Sequence, residues 1–313
     1  MINNVIKALE NVKSAAVFTH IMPDGDALGS SFSLKNFLEE QGKKCDVYIA
    51  DSVPERLKFL CGEYFTEFSD KNYDTFIALD AGDLKRLDYY GEVFSEQKNT
   101  LLIDHHATNT KFASINYVLP DASSTGEVLF EIFKKAGYRF SKETAKCLYA
   151  AIASDTGCFK FESTGVKGHI YAAELIETGI NFAKINRLLF DTEEKNAYKL
   201  KGYAMSVIKY FAEGKIASVT VTNDDLLNLG CKYEDTEGLS DVPRVVKGVE
   251  VGLILKEFGD KIKVSIRTNE YADATKIASV YGGGGHIRAS GCVSTDSASV
   301  TLEKLVKKAE ELL

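Results

Sequence analysis

The chain has no tryptophan, four prolines and three methionines in 313 residues. So few prolines exclude a proline-rich tail or spacer, and no Gly/Ser-rich linker marks the domain junction in its place. No apolar run approaches the roughly 18 residues that a membrane helix needs. The opening residues, Met1-Ile2-Asn3-Asn4, lack the charged and apolar regions of a signal peptide. Cysteine is sparse: residues 45, 61, 147, 158, 231 and 292 are scattered with no close pairing, the pattern of reduced core thiols in a cytoplasmic protein. An excess of positive charge is also missing. The net charge of -7 argues against binding to long nucleic acid. It leaves an anionic substrate open, because bound metal can dominate the local field.

What is present is an ordinary globular composition, 45% hydrophobic and 27% charged, at a length that suggests two domains. In the first part, apolar runs alternate with helical ones. Strands are expected at 15–20, 44–50, 75–80 and 100–106, and helices at 1–12, from Ala27, at 124–137, at 142–154 and across 166–190. That alternation predicts an α/β fold with a doubly wound, mostly parallel sheet. A mixed-charge helix over 193–211 reads as a connector. Beyond Lys215 the pattern changes to strands at 216–222, 249–258 and 261–268, the last two separated by the tight turn Gly259-Asp260. A helix at 273–281, a glycine tract, a short strand at 290–294 and a helix at 297–313 follow. The expected organisation is a domain at 1–191, a connecting helix at 192–212 and a smaller α+β domain at 213–313.

Three of the apolar strands deliver acids or imidazoles at the same end. After the first come His20, Asp24 and Asp26; after the third, Asp80; after the fourth, Asp104, His105 and His106. Asp155 closes a helix. This is where an open α/β sheet places ligands. Imidazole and carboxylate donors without thiolates suit Mn²⁺, with Mg²⁺, Co²⁺ or Fe²⁺ as rivals. Six donors would serve two metals if one carboxylate bridges, and four carboxylates (Asp24, Asp26, Asp80, Asp155) would balance two divalent charges. Taken singly, each residue has a plainer reading: Asp26 could merely cap the helix from Ala27, and a lone His is more often structural. The convergence favours the metal centre. His169 lacks such neighbours, and Asp83 and Arg86 could support the site or form a solvated turn. Which of His105 and His106 is a ligand stays open on the residues alone.

The tract Gly282-Gly283-Gly284-Gly285 with His286, Arg288 and Ser290 could cradle an anion on exposed backbone N–H groups, and Arg267 could point to the same region. Alone the glycines would be a flexible surface turn. It is not the dinucleotide fingerprint, because it follows a helix. Beside His286 and Arg288, and behind a domain with a candidate metal centre, substrate capture is the better reading.

Asp104-His105-His106 with His20-x3-Asp24-x-Asp26, Asp80 and Asp155 resembles the DHH phosphoesterase superfamily. Gly282–Gly285 with His286, Arg288, Ala289, Ser290 and Gly291 resembles the glycine-rich motif of its associated C-terminal domain. Length and the absence of extra domains are most similar to the bacterial nano-RNase/pAp phosphatase group. The resemblance implies two divalent ions. His20, Asp24 and Asp80 would hold the first; Asp26, Asp80, His105 and Asp155 the second, with Asp80 bridging. Asp104 would orient an imidazole, and His106 would contact the scissile phosphate and protonate the leaving oxygen. Arg267, Gly283, Gly284, Gly285, His286, Arg288 and Ser290 would bind substrate.

The implied activity is hydrolysis of short RNA or linear dinucleotides to mononucleotides, and of pAp, by a metal-activated hydroxide; the family also allows a homodimer. A cyclic-dinucleotide phosphodiesterase would use the same chemistry on a closed ring. A pyrophosphatase is disfavoured by the C-terminal glycine motif, and a RecJ-type exonuclease by length and charge. A non-catalytic nucleotide-binding regulator is disfavoured by the intact donor set.

Overall fold

The computed structural model describes residues 2–68 and 72–313; Met1, the start of the first expected helix, lies outside them. The chain divides into two compact units, Met1–Thr192 and Glu193–Leu313. Strands in chain order are β1 (Ser14–Phe18), β2 (Lys44–Tyr48), β3 (Thr75–Leu79), β4 (Thr100–Asp104), β5 (Ile115–Val118), β6 (Lys209–Phe211), β7 (Ile216–Val221), β8 (Val251–Phe258), β9 (Lys261–Thr268), β10 (Gly284–His286) and β11 (Ala289–Ser294). The helices are α1 (Ile2–Asn11), α2 (Gly25–Glu39), α3 (Tyr90–Ser95), α4 (Thr125–Lys135), α5 (Lys142–Asp155), α6 (Val166–Glu177), α7 (Phe182–Phe190), α8 (Lys195–Ser206), α9 (Asn223–Leu229), α10 (Ala274–Ala278) and α11 (Ala298–Glu310). Among the described residues, no helix is long and apolar enough to cross a membrane. All six cysteines are unpaired.

The first unit is built on a parallel sheet in the order β2-β1-β3-β4-β5. Its central strands are buried on both faces, so they read as continuous apolar runs. In β1, Ala15 and Val17 face one core, shared with α2, α4 and α5, while Ala16 and Phe18 face the other. The second core is aromatic. Phe18 stacks on Tyr48 at 5.4 Å and on Phe76 at 6.1 Å, and meets Tyr90 at 5.2 Å. Truncating such a buried ring costs about 3–5 kcal/mol.

Two expectations need correction here, and one strand was not expected. The continuous helix over 166–190 is two helices: Gly179 takes φ +84 and Asn181 caps α7 through its side chain. Strand β5 carries an exposed Ile115 and a half-buried Asn116 at the sheet edge, so it lacks the apolar run that marked its neighbours. The cap of α2 is Asp24, not Asp26, and the helix begins at Gly25.

The second unit carries a six-stranded sheet in the order β10-β11-β9-β8-β7-β6, antiparallel except for the β7–β8 pair. Helices α10 and α11 cover the core of one face, including Leu253, Leu255, Val264 and Ile266. On the other face, Leu200 and Ala204 of α8 pack with Val219, Val221 and Ile254. The expected helix at 193–211 ends at Ser206 and gives way to β6. Helix α9 was not expected from the sequence. Its capping box joins Thr222 and Asp225, and Gly230 ends it in the left-handed conformation.

Candidate metal centre

Parallel strands with a common direction bring their carboxyl ends together. There β1 leads into Thr19 and His20, β3 into Asp80, and β4 ends in Asp104 followed by His105 and His106. Helix α2 adds its cap, Asp24, and Asp26 in its first turn, and α5 adds its last residue, Asp155. Three overlapping groups have donor atoms close enough to share an ion: His20, Asp24 and Asp80; Asp26, His105 and Asp155; and Asp80, His105 and His106.

Asp80 stands at the centre. Its Oδ2 lies 3.6 Å from His20 Nε2 and its Oδ1 3.7 Å from His105 Nε2, so its two oxygens face two donor sets. The residue sits in the left-handed region, at φ 56, a conformation that is unusual for a non-glycine residue. Asp24 divides its carboxylate: Oδ1 accepts the N–H groups of Asp26 and Ala27 at 3.0 Å, while Oδ2 lies 3.9 Å from His20 Nε2. Asp26 is fully buried and accepts the N–H of Thr125 at 2.6 Å, the N–H of Gly126 at 2.9 Å and the Ser30 hydroxyl at 3.0 Å. The first two donors are the free amides at the start of α4, a place that favours an anion.

The two adjacent imidazoles differ. His105 turns Nε2 to the acids, 3.3 Å from Asp155 and 3.9 Å from Asp26. His106 has its Nδ1 2.8 Å from Asp104 Oδ1, and Asp104 Oδ2 in turn accepts from Asn109 at 2.5 Å. An ionised carboxylate only accepts, so the proton of that pair sits on His106 Nδ1 and leaves Nε2 for other work.

Among the protein groups alone, the charges are poorly balanced. Burial, then the charges of Asp80, Asp155 and Asp24, push Asp26 well above the usual carboxylate range, against the Gly126 N–H. Burial, with Asp24 and Asp80, raises Asp155 to about 6 although His105 opposes it; a carboxylate at a helix C-terminus is also disfavoured by the helix dipole. Burial works against charge on His105, but the Asp155 hydrogen bond and the charges of Asp80, Asp155 and Asp104 hold it up at about 9. For Asp80, burial is more than offset by His20, His105 and His106, and the group lies below the usual range. The acids thus draw protons onto the imidazoles between them. Divalent cations would meet the same demand, and the oxygen-and-imidazole donor set fits them.

Other sequence candidates have partners of their own. His169 is exposed on α6 and stacks on Phe159 at 5.3 Å. Asp83 caps a short turn through the N–H groups of Lys85 and Arg86, while Arg86 Nη2 lies 3.0 Å from His20 Nδ1. The glycine tract is not a free loop. Gly284, Gly285 and His286 pair with Gly291, Ser290 and Ala289. At Gly283 a Cβ would lie 2.2 Å from the Gly291 carbonyl, and Gly285 has φ +144. His286 is exposed, and the Ser290 hydroxyl donates to its carbonyl at 2.9 Å. Arg288 donates to the carbonyls of Ala272, at 2.9 Å, and Glu270. Arg267 donates to the Ile266 carbonyl at 3.1 Å and lies 4.0 Å from Asp241.

Thr125 escaped the sequence reading. Its N–H serves Asp26 and its hydroxyl donates to Asp80 Oδ1 at 2.9 Å. The available signal was Ser124-Thr125-Gly126-Glu127, in which Ser124 caps the Glu127 N–H at 3.0 Å and marks a helix start.

Comparison with known proteins covers both units. A model described as the DHH family, N-terminal domain, matches residues 14–152, and one described as the DHHA1 domain matches residues 214–313. The bifunctional oligoribonuclease and PAP phosphatase NrnA of Thermus thermophilus is 31% identical, over 93% of this chain and 86% of its own length. The Bacillus subtilis protein of the same name is 27% identical, over 99% of this chain and all of its own. The crystal structure of an exopolyphosphatase-related protein from Bacteroides fragilis has a TM-score of 0.93 and 29% identity, covering 99% of this chain and 95% of that one.

Proposed function

The chain belongs to the DHH phosphoesterase family, and from that premise we propose that it hydrolyses short oligoribonucleotides and linear dinucleotides to mononucleotides and removes the 3′-phosphate of pAp. The names of the Thermus and Bacillus relatives support the substrate class. The observation that carries the chemistry is Asp80, whose two carboxylate oxygens face the imidazoles of His20 and His105 from one buried position.

His20, Asp24 and Asp80 are the proposed donors for one divalent ion, and Asp26, Asp80, His105 and Asp155 for a second, with Mn²⁺ ahead of Mg²⁺, Co²⁺ or Fe²⁺ on donor type. Such ions, when bound, lower the pKa of water and offset charge on a phosphoryl group. The chain's own groups position and transfer protons. Asp104, fixed by Asn109, holds the His106 ring by Nδ1 and favours its doubly protonated form; that imidazolium gives its Nε2 proton to the leaving oxygen and keeps the one on Nδ1. His286 and the glycines of β10, with Arg267 and Ser290, contribute substrate binding in the second unit. The net charge of -7 favours short substrates over long nucleic acid, and the six unpaired thiols suit the cytoplasm.

The test is turnover by the purified protein in Mn²⁺ of a 5′-phosphorylated diribonucleotide, pAp, a cyclic dinucleotide, pyrophosphate and polyphosphate. The last is included because the Bacteroides fragilis protein is described as exopolyphosphatase-related. Mononucleotide release from the linear substrate, with pAp second, is the expected order. Preference for any of the other three would overturn the substrate class and leave the metal chemistry. Asp80→Asn should abolish turnover in every case.

A further inference from the structure

Outside the metal centre, the second unit holds a buried carboxylate with no place in the chemistry above. Glu250 is 5% exposed, at the residue before β8. Its side chain accepts three successive backbone N–H groups: Glu270 at 3.0 Å, Tyr271 at 2.8 Å and Ala272 at 2.8 Å. Two carbonyls of that same segment are also occupied. Arg288 donates to the carbonyl of Ala272 at 2.9 Å and to that of Glu270. The peptide unit joining Glu270 to Tyr271 therefore gives its N–H to a carboxylate and takes a guanidinium on its C=O. Charge at both ends polarises one peptide group in the favourable sense.

Arg288 and Ile287 form the two-residue turn between β10 and β11, whose last pair is His286 with Ala289. The turn has further ties to the same segment. The Ile287 carbonyl accepts the Ala274 N–H at 2.8 Å and the Thr268 hydroxyl at 3.2 Å, and the Arg288 carbonyl accepts the Thr268 N–H at 3.1 Å. The hairpin's β11 arm is paired with β9 along its length, whereas β10 is paired only with β11 and, being glycine-rich, has few side chains with which to pack, so contacts at the turn bear on its position.

We propose that Glu250 is a positioning residue for substrate capture: through the 270–272 segment and Arg288 it fixes the hairpin that presents His286 and the glycines. This rests on the reading that the hairpin binds substrate. It also reassigns Arg288, whose guanidinium is spent on backbone carbonyls, from direct ligand contact to bracing.

Steady-state kinetics of the metal-loaded enzyme on a 5′-phosphorylated diribonucleotide test this, with amide hydrogen exchange over residues 283–291 as a second readout. Glu250→Gln keeps the size but not the charge. It should raise KM about tenfold, the scale of one charge-assisted hydrogen bond, leave kcat within about twofold of that of the unmodified enzyme, and speed exchange in the hairpin. Arg288→Met should do the same, and the double variant should be no worse than either single, since both break one brace. If His286→Ala raises KM while Glu250→Gln changes neither KM nor exchange, the brace is refuted and hairpin binding stands. If His286→Ala also leaves KM unchanged, hairpin binding itself falls, and this proposal with it. Additive effects in the double variant would likewise overturn the brace. Should Glu250→Gln lose its cooperative melting transition, Arg288→Met, an exposed change, decides by KM and hairpin exchange together: a raised KM with unchanged exchange means direct contact and overturns the brace.

Discussion

Thr125 joins two buried carboxylates, its N–H bonded to Asp26 and its hydroxyl to Asp80. Hydrogen bonds behind metal ligands fix their orientation, and their loss typically costs 10–100-fold in affinity or activity. Thr125→Val keeps the branched shape and the N–H but removes the hydroxyl. It should weaken Mn²⁺ binding by about 10-fold or more, read by calorimetric titration, with a matching fall in turnover. Asp104 differs because it touches His106 and Asn109. In Asp104→Asn the carboxamide no longer specifies which nitrogen of His106 holds the proton. The variant should bind Mn²⁺ as the unmodified chain does, while kcat falls about 10²–10⁴-fold, the range for a lost acid–base group. Equal losses of metal in Thr125→Val and Asp104→Asn would contradict the separation of roles. His105 and His106 were indistinguishable in the sequence because both follow β4. What separates them is tertiary: one ring turns to Asp155 on α5, the other to Asp104 on its own strand.

Helices α2 and α5 hold Asp26 and Asp155, so their spacing sets part of the donor geometry. They meet at Gly29, where a Cβ would lie 2.5 Å from the Cys147 carbonyl oxygen and 2.9 Å from the Ala151 Cβ. Backbone cannot move aside as a flexible side chain does. Gly29→Ala should therefore destabilise the first unit by about 1–3 kcal/mol through overpacking, measured by denaturant unfolding, and weaken metal binding by pushing the helices apart. A stable variant with unchanged metal affinity would show that the helix spacing is not critical. Strands buried on both faces were legible because they carry uninterrupted apolar residues up to the polar residues of the site: Val17-Phe18 before Thr19 and His20, Ala78-Leu79 before Asp80, Leu102-Ile103 before Asp104. Of the edge strands, β2 was legible and β5 and β6 were not. Exposed Ile115 and the short Lys209-Tyr210-Phe211 show neither alternation nor an apolar run. The glycine tract hid its strand for another reason, since glycine has no side chain to show a period and its use is the close approach of β11. The brace from Glu250 to Arg288 was illegible because its middle is main chain.

At the scale of the molecule, metal and stability are linked. Asp26, Asp80 and Asp155 converge in the first unit with Asp24 at its edge, and bringing those charges together opposes folding unless a cation compensates. An unfolded chain has no such convergence, so a divalent ion binds the folded state in preference. The sign is fixed: added metal raises the melting temperature and a chelator lowers it. At 100 times its dissociation constant, each bound ion contributes about 2.7 kcal/mol. The gain should appear as slower amide exchange in β1, β3, β4, α2 and α5, which present or support the donors. Differential scanning calorimetry with EDTA and with a Mn²⁺ series checks the first part, and exchange mass spectrometry the second. Asp80→Asn should lose most of the metal-dependent shift, because the residue serves both donor sets. Asp155→Asn, by contrast, should unfold less readily than the unmodified chain does in EDTA, since burial and the charges of Asp24 and Asp80 hold that carboxyl at about 6 and removing its charge relieves them. A variant that loses activity yet gains stability without metal is the signature of a site whose acids are held for a cation, not for the fold. An equal loss of stability in EDTA and in Mn²⁺ would show instead that Asp80 is structural.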